Sequence, residues 1–85
     1  MKRLKIILSG HALYQIKDRK LSITKVKQTV TNPDNISRQA DGRLLAYKFL
    51  KKTGKNYLLI VIFEQTNSTI KVITTFLTSK LHKYL

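Results

Sequence analysis

The chain has 85 residues, enough for one domain (residues 1–85) and one core, and its 17 Lys and Arg against 4 Asp and Glu give it a net charge of +13. A domain of this size buries only about 60–65% of the surface its unfolded chain exposes, so its stability is modest. The charge far exceeds what solubility requires, and the four acids (Asp18, Asp34, Asp41, Glu64) are scattered, so no stretch neutralises the basic residues locally. A field of this sign concentrates polyanions and speeds their capture. Nucleic acid, RNA foremost, is therefore the expected partner, with an acidic protein as the other candidate. There is no cysteine, which excludes disulfides and thiolate metal sites.

The first eight residues, Met1-Lys2-Arg3-Leu4-Lys5-Ile6-Ile7-Leu8, hold only three consecutive apolar positions. That is too few for a signal-peptide core or a membrane span, so a cytoplasmic protein with no membrane partner is expected. Lys5 to Leu8 reads as a short strand stopped by Ser9-Gly10. From His11 to about Lys20, Ala12 and Leu13 precede Ile16 by three to four residues, a one-sided helical stripe. Ser22 is a favourable N-cap for a second helix in which Ile23, Val26 and Val30 form the apolar stripe and Lys25, Lys27 and Gln28 lie off it. Asn32-Pro33-Asp34-Asn35 ends that helix, because proline lacks the N–H and biases its predecessor away from helical angles.

Beyond Pro33 the period changes to two. Ile36 to Gln39 reads as a short strand and Asp41-Gly42 as a tight turn. In Arg43 to Leu50, Leu45, Tyr47 and Phe49 alternate with Leu44, Ala46 and Lys48. Lys51 to Asn56 reads as a basic hairpin loop, and Tyr57 to Phe63 is apolar throughout, as a central strand covered on both faces would be. Gln65 to Ser68 turns the chain. From Thr69 to Leu77, strict alternation places Ile70, Val72, Thr74 and Phe76 on one face and Lys71, Ile73, Thr75 and Leu77 on the other. A polar, basic tail runs from Thr78 to Leu85. The expected fold class is α+β: two N-terminal helices packed on a 3–5-stranded, mainly antiparallel sheet in β-α-α-β-β-β order. The second sheet face is then thinly covered, and Lys48 and Lys71 are expected to project from it as a basic, concave seat for a nucleic-acid strand.

Several enzyme classes are excluded. No two carboxylates stand at helix or strand spacing, as a two-metal nuclease needs. Gly10, Gly42 and Gly54 each sit at a turn rather than in a phosphate loop, and the two histidines are 71 positions apart. Neither a metal nor a cofactor is expected. Metal-free cleavage of RNA through the 2′-hydroxyl needs a base for that proton, a cation for the phosphorane charge and an acid for the leaving oxygen. His11 at a helix start is one candidate, and His82 and Tyr84 in the tail are alternative acid and base. Arg43, Lys48, Lys71 and Lys80 are candidate phosphate clamps, and Tyr47 or Tyr57 could stack on a base. For each of these residues a purely structural role is the competing reading.

The run His11-Ala12-x-x-Gln15-Ile16-x-x-Arg19-x-Leu21-Ser22, followed by Asn32-Pro33-Asp34, resembles the opening of an uncharacterised family of small bacterial domains, a domain of unknown function. Its pattern is H-A-x-x-R-[MI]-x-x-R-x-[IL]-[ST] and then N-P. Val72-Ile73-Thr74-Thr75-Phe76 with Lys80 and Tyr84 is similar to that family's closing strand and tail. The resemblance implies the RelE, barnase and colicin type of ribonuclease fold, and similarity to the RelE-like and BrnT-like toxins of toxin–antitoxin pairs. Those toxins are small, basic and metal-independent; several cleave mRNA, some only on the ribosome, and an acidic antitoxin wraps them. The His82-x-Tyr84 ending looks like the terminal His and Tyr that some of them use, and Arg19 joins the nucleic-acid-binding set through the matched pattern. Gln15 stands where the pattern carries Arg, and Phe76 where BrnT-like toxins carry an arginine. Glu64 is the sole carboxylate offered as a base. The function expected is thus a RelE-like toxin-type endoribonuclease acting on mRNA and neutralised by an acidic antitoxin; the alternative is a non-catalytic nucleic-acid-binding or protein-interaction module.

Overall fold

Residues 5–84 are described by the computed structural model; Met1–Leu4, the basic front of the chain, and Leu85, the last residue of the tail, lie outside them. The first strand, β1 (Lys5–Leu8), leads directly into helix α1 (Gly10–Asp18). The stop at Ser9-Gly10 is also a start, because the Ser9 hydroxyl accepts the Ala12 N–H at 3.0 Å and caps the helix. The helix ends earlier than its apolar stripe suggests. Lys20 takes a left-handed backbone (φ 53°), the Leu21 N–H donates to Ile16 O at 2.8 Å, and Lys20 N–H reaches Lys17 O. This is a Schellman closure with lysine where glycine is usual, secured by the burial of Ile16 and the packing of Leu21 against the same core.

Helix α2 (Ile23–Thr31) starts at Ser22, whose hydroxyl accepts the Lys25 N–H. Val26 and Val30 are buried as expected, together with Thr29, whose hydroxyl donates to Lys25 O at 2.7 Å; Ile23 stays 44% exposed. Pro33 then turns the chain into four strands, β2 (Asn35–Arg38), β3 (Leu44–Lys52), β4 (Lys55–Gln65) and β5 (Thr69–Thr78), followed by a 3₁₀ turn over Leu81–Lys83. The expected basic loop at 51–56 is mostly strand. Lys52 pairs with Lys55, and Thr53 and Gly54 both take positive φ (49° and 79°), the tight turn that matches the strand twist.

The fold is α+β, with two helices on a five-stranded sheet of order β1-β5-β4-β3-β2. The sheet is mixed rather than a plain meander. β1 runs parallel to β5, from Lys5 opposite Thr69 to Leu8 opposite Val72, while the other three pairings are antiparallel. Both helices pack on one face, where Ala12, Ile16, Val26 and Val30 meet Ala46, Leu59, Val61, Phe63, Ile70 and Val72. The opposite face carries a second, smaller core of Tyr47, Leu58 and Ile60 with Leu45, Ile62 and Phe76. β4 is thus covered on both sides at its centre, as its unbroken apolar run predicts.

Strict alternation fails in β5. Ile62 pairs with Thr74 and Phe63 with Val72, leaving Ile73 as an extra residue. This bulge moves Thr75 and Leu77 to the helical face and Thr74 and Phe76 to the other, the reverse of their expected relation to Ile70 and Val72. Ser9 closes the bulge. Its N–H donates to Val72 O at 3.0 Å and its hydroxyl donates to Ile73 O at 2.9 Å. Ser9 therefore caps a helix and pairs a bulge carbonyl with one side chain, whereas Ser22 only caps. Ser9→Ala is expected to cost about 2 kcal/mol and Ser22→Ala about 1 kcal/mol. Urea unfolding of the two variants checks the order; equal losses would deny the bulge its dependence on Ser9.

Candidate nucleic-acid interface

The register places the side chains of the open face in rows. At one end Ile7, Lys71 and Glu64 lie on neighbouring strands, and Arg43 closes the row by donating from Nε to Glu64 Oε1 at 3.1 Å. Arg43 also lies 4.0 Å from Asp41. Both expected roles at this end are therefore altered. Arg43 is an ion-paired strand-start residue, and Glu64 is an arginine's partner. Each is substantially exposed, so the pair adds little stability.

The middle of the face is apolar, not basic. Tyr47 is 6% exposed and its hydroxyl accepts from Asn35 Nδ2 at 3.1 Å, which removes it from any stacking role. Tyr57 opposes Leu50 and lies on the helical side by strand alternation. The tail covers part of this middle. Leu81 and Tyr84 pack against the Tyr47, Leu58 and Ile60 cluster, and the Tyr84 ring lies 6.4 Å from that of Phe76. The terminal segment, read from sequence as polar, is thus an amphipathic cover. Its alternation of Leu81 and Tyr84 with Lys80, His82 and Lys83 is the signal that could have shown this. His82 and Lys83 stay exposed, and Lys83 Nζ sits 5.8 Å above the Tyr84 ring, within cation–π range.

Lys48 does not project from the open face. It shares the helical side with Leu44 and Ala46, and its Nζ donates to Asn32 O at 3.0 Å, at the C-terminal end of α2. There an ammonium group meets unpaired carbonyls and the negative end of the helix dipole. Lys71 is exposed on the open face as expected, and Lys80 is exposed at the start of the 3₁₀ turn, where its N–H is held by the Thr78 hydroxyl. Arg19 caps α1 through its backbone N–H, with its side chain exposed in the helical layer.

His11 lies in the first turn of α1, exposed, with Nε2 3.4 Å from the Gln15 amide nitrogen. It belongs to the helical layer, while His82 and Tyr84 belong to the other side of the sheet, so the three acid–base candidates do not form one cluster. The structure instead gathers His82, Tyr84, Lys80 and Lys83 in one short segment over the open face. Among the described residues, no group of three or more His, Cys, Asp and Glu side chains is placed to hold a metal, and no helix is long and apolar enough to cross a membrane.

The family model of DUF4258, a domain of unknown function, matches residues 8–77, and the chain belongs to that family. The matched segment closes within β5, so His82 and Tyr84 lie beyond it. Neither a curated protein nor a solved structure matches the chain.

Of the three candidate clamp lysines, Lys48 and Lys71 have separable behaviour. Lys48→Met is expected to lower the unfolding free energy by about 0.5–1 kcal/mol, and Lys71→Met to change it by less than about 0.5 kcal/mol. Thermal melts distinguish them, and indistinguishable melting points would remove Lys48 from its capping role.

Proposed function

We propose that this DUF4258 domain binds RNA across its open sheet face and cleaves it as a RelE-like, metal-independent endoribonuclease held in check by an acidic antitoxin. The observation that carries the reading is the docked tail. Leu81 and Tyr84 fix it to the sheet, and His82, Lys80 and Lys83 remain in solvent on a protein of charge +13. A general base, a general acid and cations for the phosphorane then come from five consecutive residues. One of His82 and Tyr84 accepts the 2′-hydroxyl proton as that oxygen attacks phosphorus, and the other protonates the departing 5′-oxygen. Lys80 and Lys83 offset the charge that builds on the non-bridging oxygens. The order strand, helix, helix, then strands, with both helices on one face, supports the RelE-like assignment, as does the His82-x-Tyr84 ending. The substrate is mRNA, free or on the ribosome, and the site is cytoplasmic in this reading. His11 takes no part in the step.

A second reading has its own support. Glu64 is engaged by Arg43 and His11 lies in the other layer, so among the described residues neither of these two is offered as a base to the tail. On that reading the same face binds nucleic acid without cutting it, and affinity falls steeply with salt as each neutralised phosphate releases counterions.

Induced expression in a bacterial host, with RNA mapped for new 5′ ends, separates the two. Wild type is expected to arrest growth and cut mRNA, and His82→Ala/Tyr84→Phe to cut at least about 100-fold more slowly. Purified wild type should cleave equally well in excess chelator. Undiminished cutting by the double variant would sink the tail assignment, and intact RNA with salt-steep binding would establish the second reading.

A further inference from the structure

Phe49 lies on the open face at 50% exposure, although Tyr47, two residues before it, and Leu58, its cross-strand partner, are both buried. Single exposed apolar residues are common and by themselves mean little. Of the comparably exposed apolar residues, Leu13, Tyr14 and Ile23 belong to the helical layer and Ile36 pairs with Ala46 on that side, while Ile7, on the open face, has no aromatic ring. Three features set Phe49 apart.

The first is rigidity. Its ring meets the Tyr47 ring edge-on at 5.8 Å and 83°, and Tyr47 is itself buried and held by Asn35. The backbone at Phe49 is fixed as well. β2 begins opposite Tyr47, so the Phe49 N–H has no strand partner on that side, and Asp34 Oδ2 accepts it at 2.7 Å. An aromatic face held in place before binding loses little freedom when a ligand stacks on it.

The second is company. Leu58, the β4 partner of Phe49, and Tyr47 belong to the cluster on which Leu81 and Tyr84 dock, so the ring borders the surface that the tail occupies. The third is charge. Lys51 lies on the same face two residues further along β3, about 7 Å away along the strand, a distance one nucleotide spans. An exposed ring beside a lysine, on a chain of net charge +13, is the combination that captures single-stranded nucleic acid, because every base has a π face and every nucleotide a phosphate.

We propose that Phe49 is a stacking seat for an unpaired base of the bound RNA, with Lys51 holding the adjoining phosphate. This assignment rests on the RNA reading of the open face and not on the cleavage step. It makes the preferred substrate single-stranded, since a base in a duplex cannot present its face to the ring.

The chain contains no tryptophan, so Phe49→Trp introduces a single emission reporter at the seat. The probe is a short 2′-O-methyl single strand, which a 2′-hydroxyl mechanism leaves intact, beside an abasic strand of equal length and inorganic polyphosphate. Quenching by the base-bearing strand and little response to the other two is the expected result. Phe49→Ala and Phe49→Leu, checked for unchanged melting, should each bind the base-bearing strand about 5- to 100-fold more weakly and polyphosphate as wild type does. Wild-type affinity in Phe49→Leu would make the site a mere apolar contact and overturn the proposal, as would equal quenching by the abasic strand. Stacking without cleavage of unmodified RNA would uphold the seat and reject the nuclease. Cleavage that is unaffected by Phe49→Ala would uphold the nuclease and reject the seat.

Discussion

The extra residue that β5 carries opposite Phe63 decides which side chains reach each layer of the protein. Upstream of Ile73, Ile70 and Val72 point at the helices; downstream, Thr75 and Leu77 do, and Phe76 is delivered to the other side. Buried Thr75 is accommodated because its hydroxyl donates to Ile60 O at 2.8 Å, which satisfies a group that would otherwise be costly to bury. Without the bulge Phe76 would enter the helical core, and the open face would lose the ring against which Tyr84 packs. Ser9 ties this irregularity to the start of α1, so the end of β1, the first helix and the shape of β5 are set at one junction.

The open face that results is neither bare nor uniformly basic. Its centre is a small apolar core with the tail folded over it, and charge is confined to the margins: Arg43, Glu64 and Lys71 at one end, Lys51 with the tail residues Lys80 and Lys83 elsewhere. The arrangement suits a ligand with both apolar and anionic parts. A nucleic-acid strand has both, in alternation, and this supports the proposal of RNA over a simple polyanion. Among the described residues of the tail, Leu81 and Tyr84 are the side chains packed on this core, so the position of His82 is tied to theirs.

Much of the architecture was legible because it depends on local pattern. The valine stripe of α2, its serine cap, the Asp41-Gly42 turn and the apolar run of β4 all state their roles within a few residues. The misreadings share a different cause. The bulge at Ile73 cannot be seen in the alternation of β5, since it is defined by pairing with β4 and closed by a serine 64 residues away. The parallel docking of β1 on β5 is likewise a long-range choice. Lys48 alternates with Tyr47 and Phe49 as expected, but that alternation does not determine which face holds the helices, and its side chain lies in the helical layer. The alternation places Phe49 on a face but not its exposure, because exposure depends on how far the tail extends over the sheet. For the candidate site, sequence offers residue types but not their grouping: His11 and His82 are alike in kind and stand on opposite sides of the sheet.

RNA is proposed to meet this domain on the open sheet face, alongside the docked tail. Amide and side-chain NMR shifts followed during titration with a non-cleavable single strand test it most directly. Perturbations are expected to concentrate on residues 80–84, Phe49, Lys51 and Lys71, while Leu13, Tyr14, Ile23 and Lys48 are little affected. Perturbations confined to α1 and α2, or spread evenly over all exposed lysines, would contradict it.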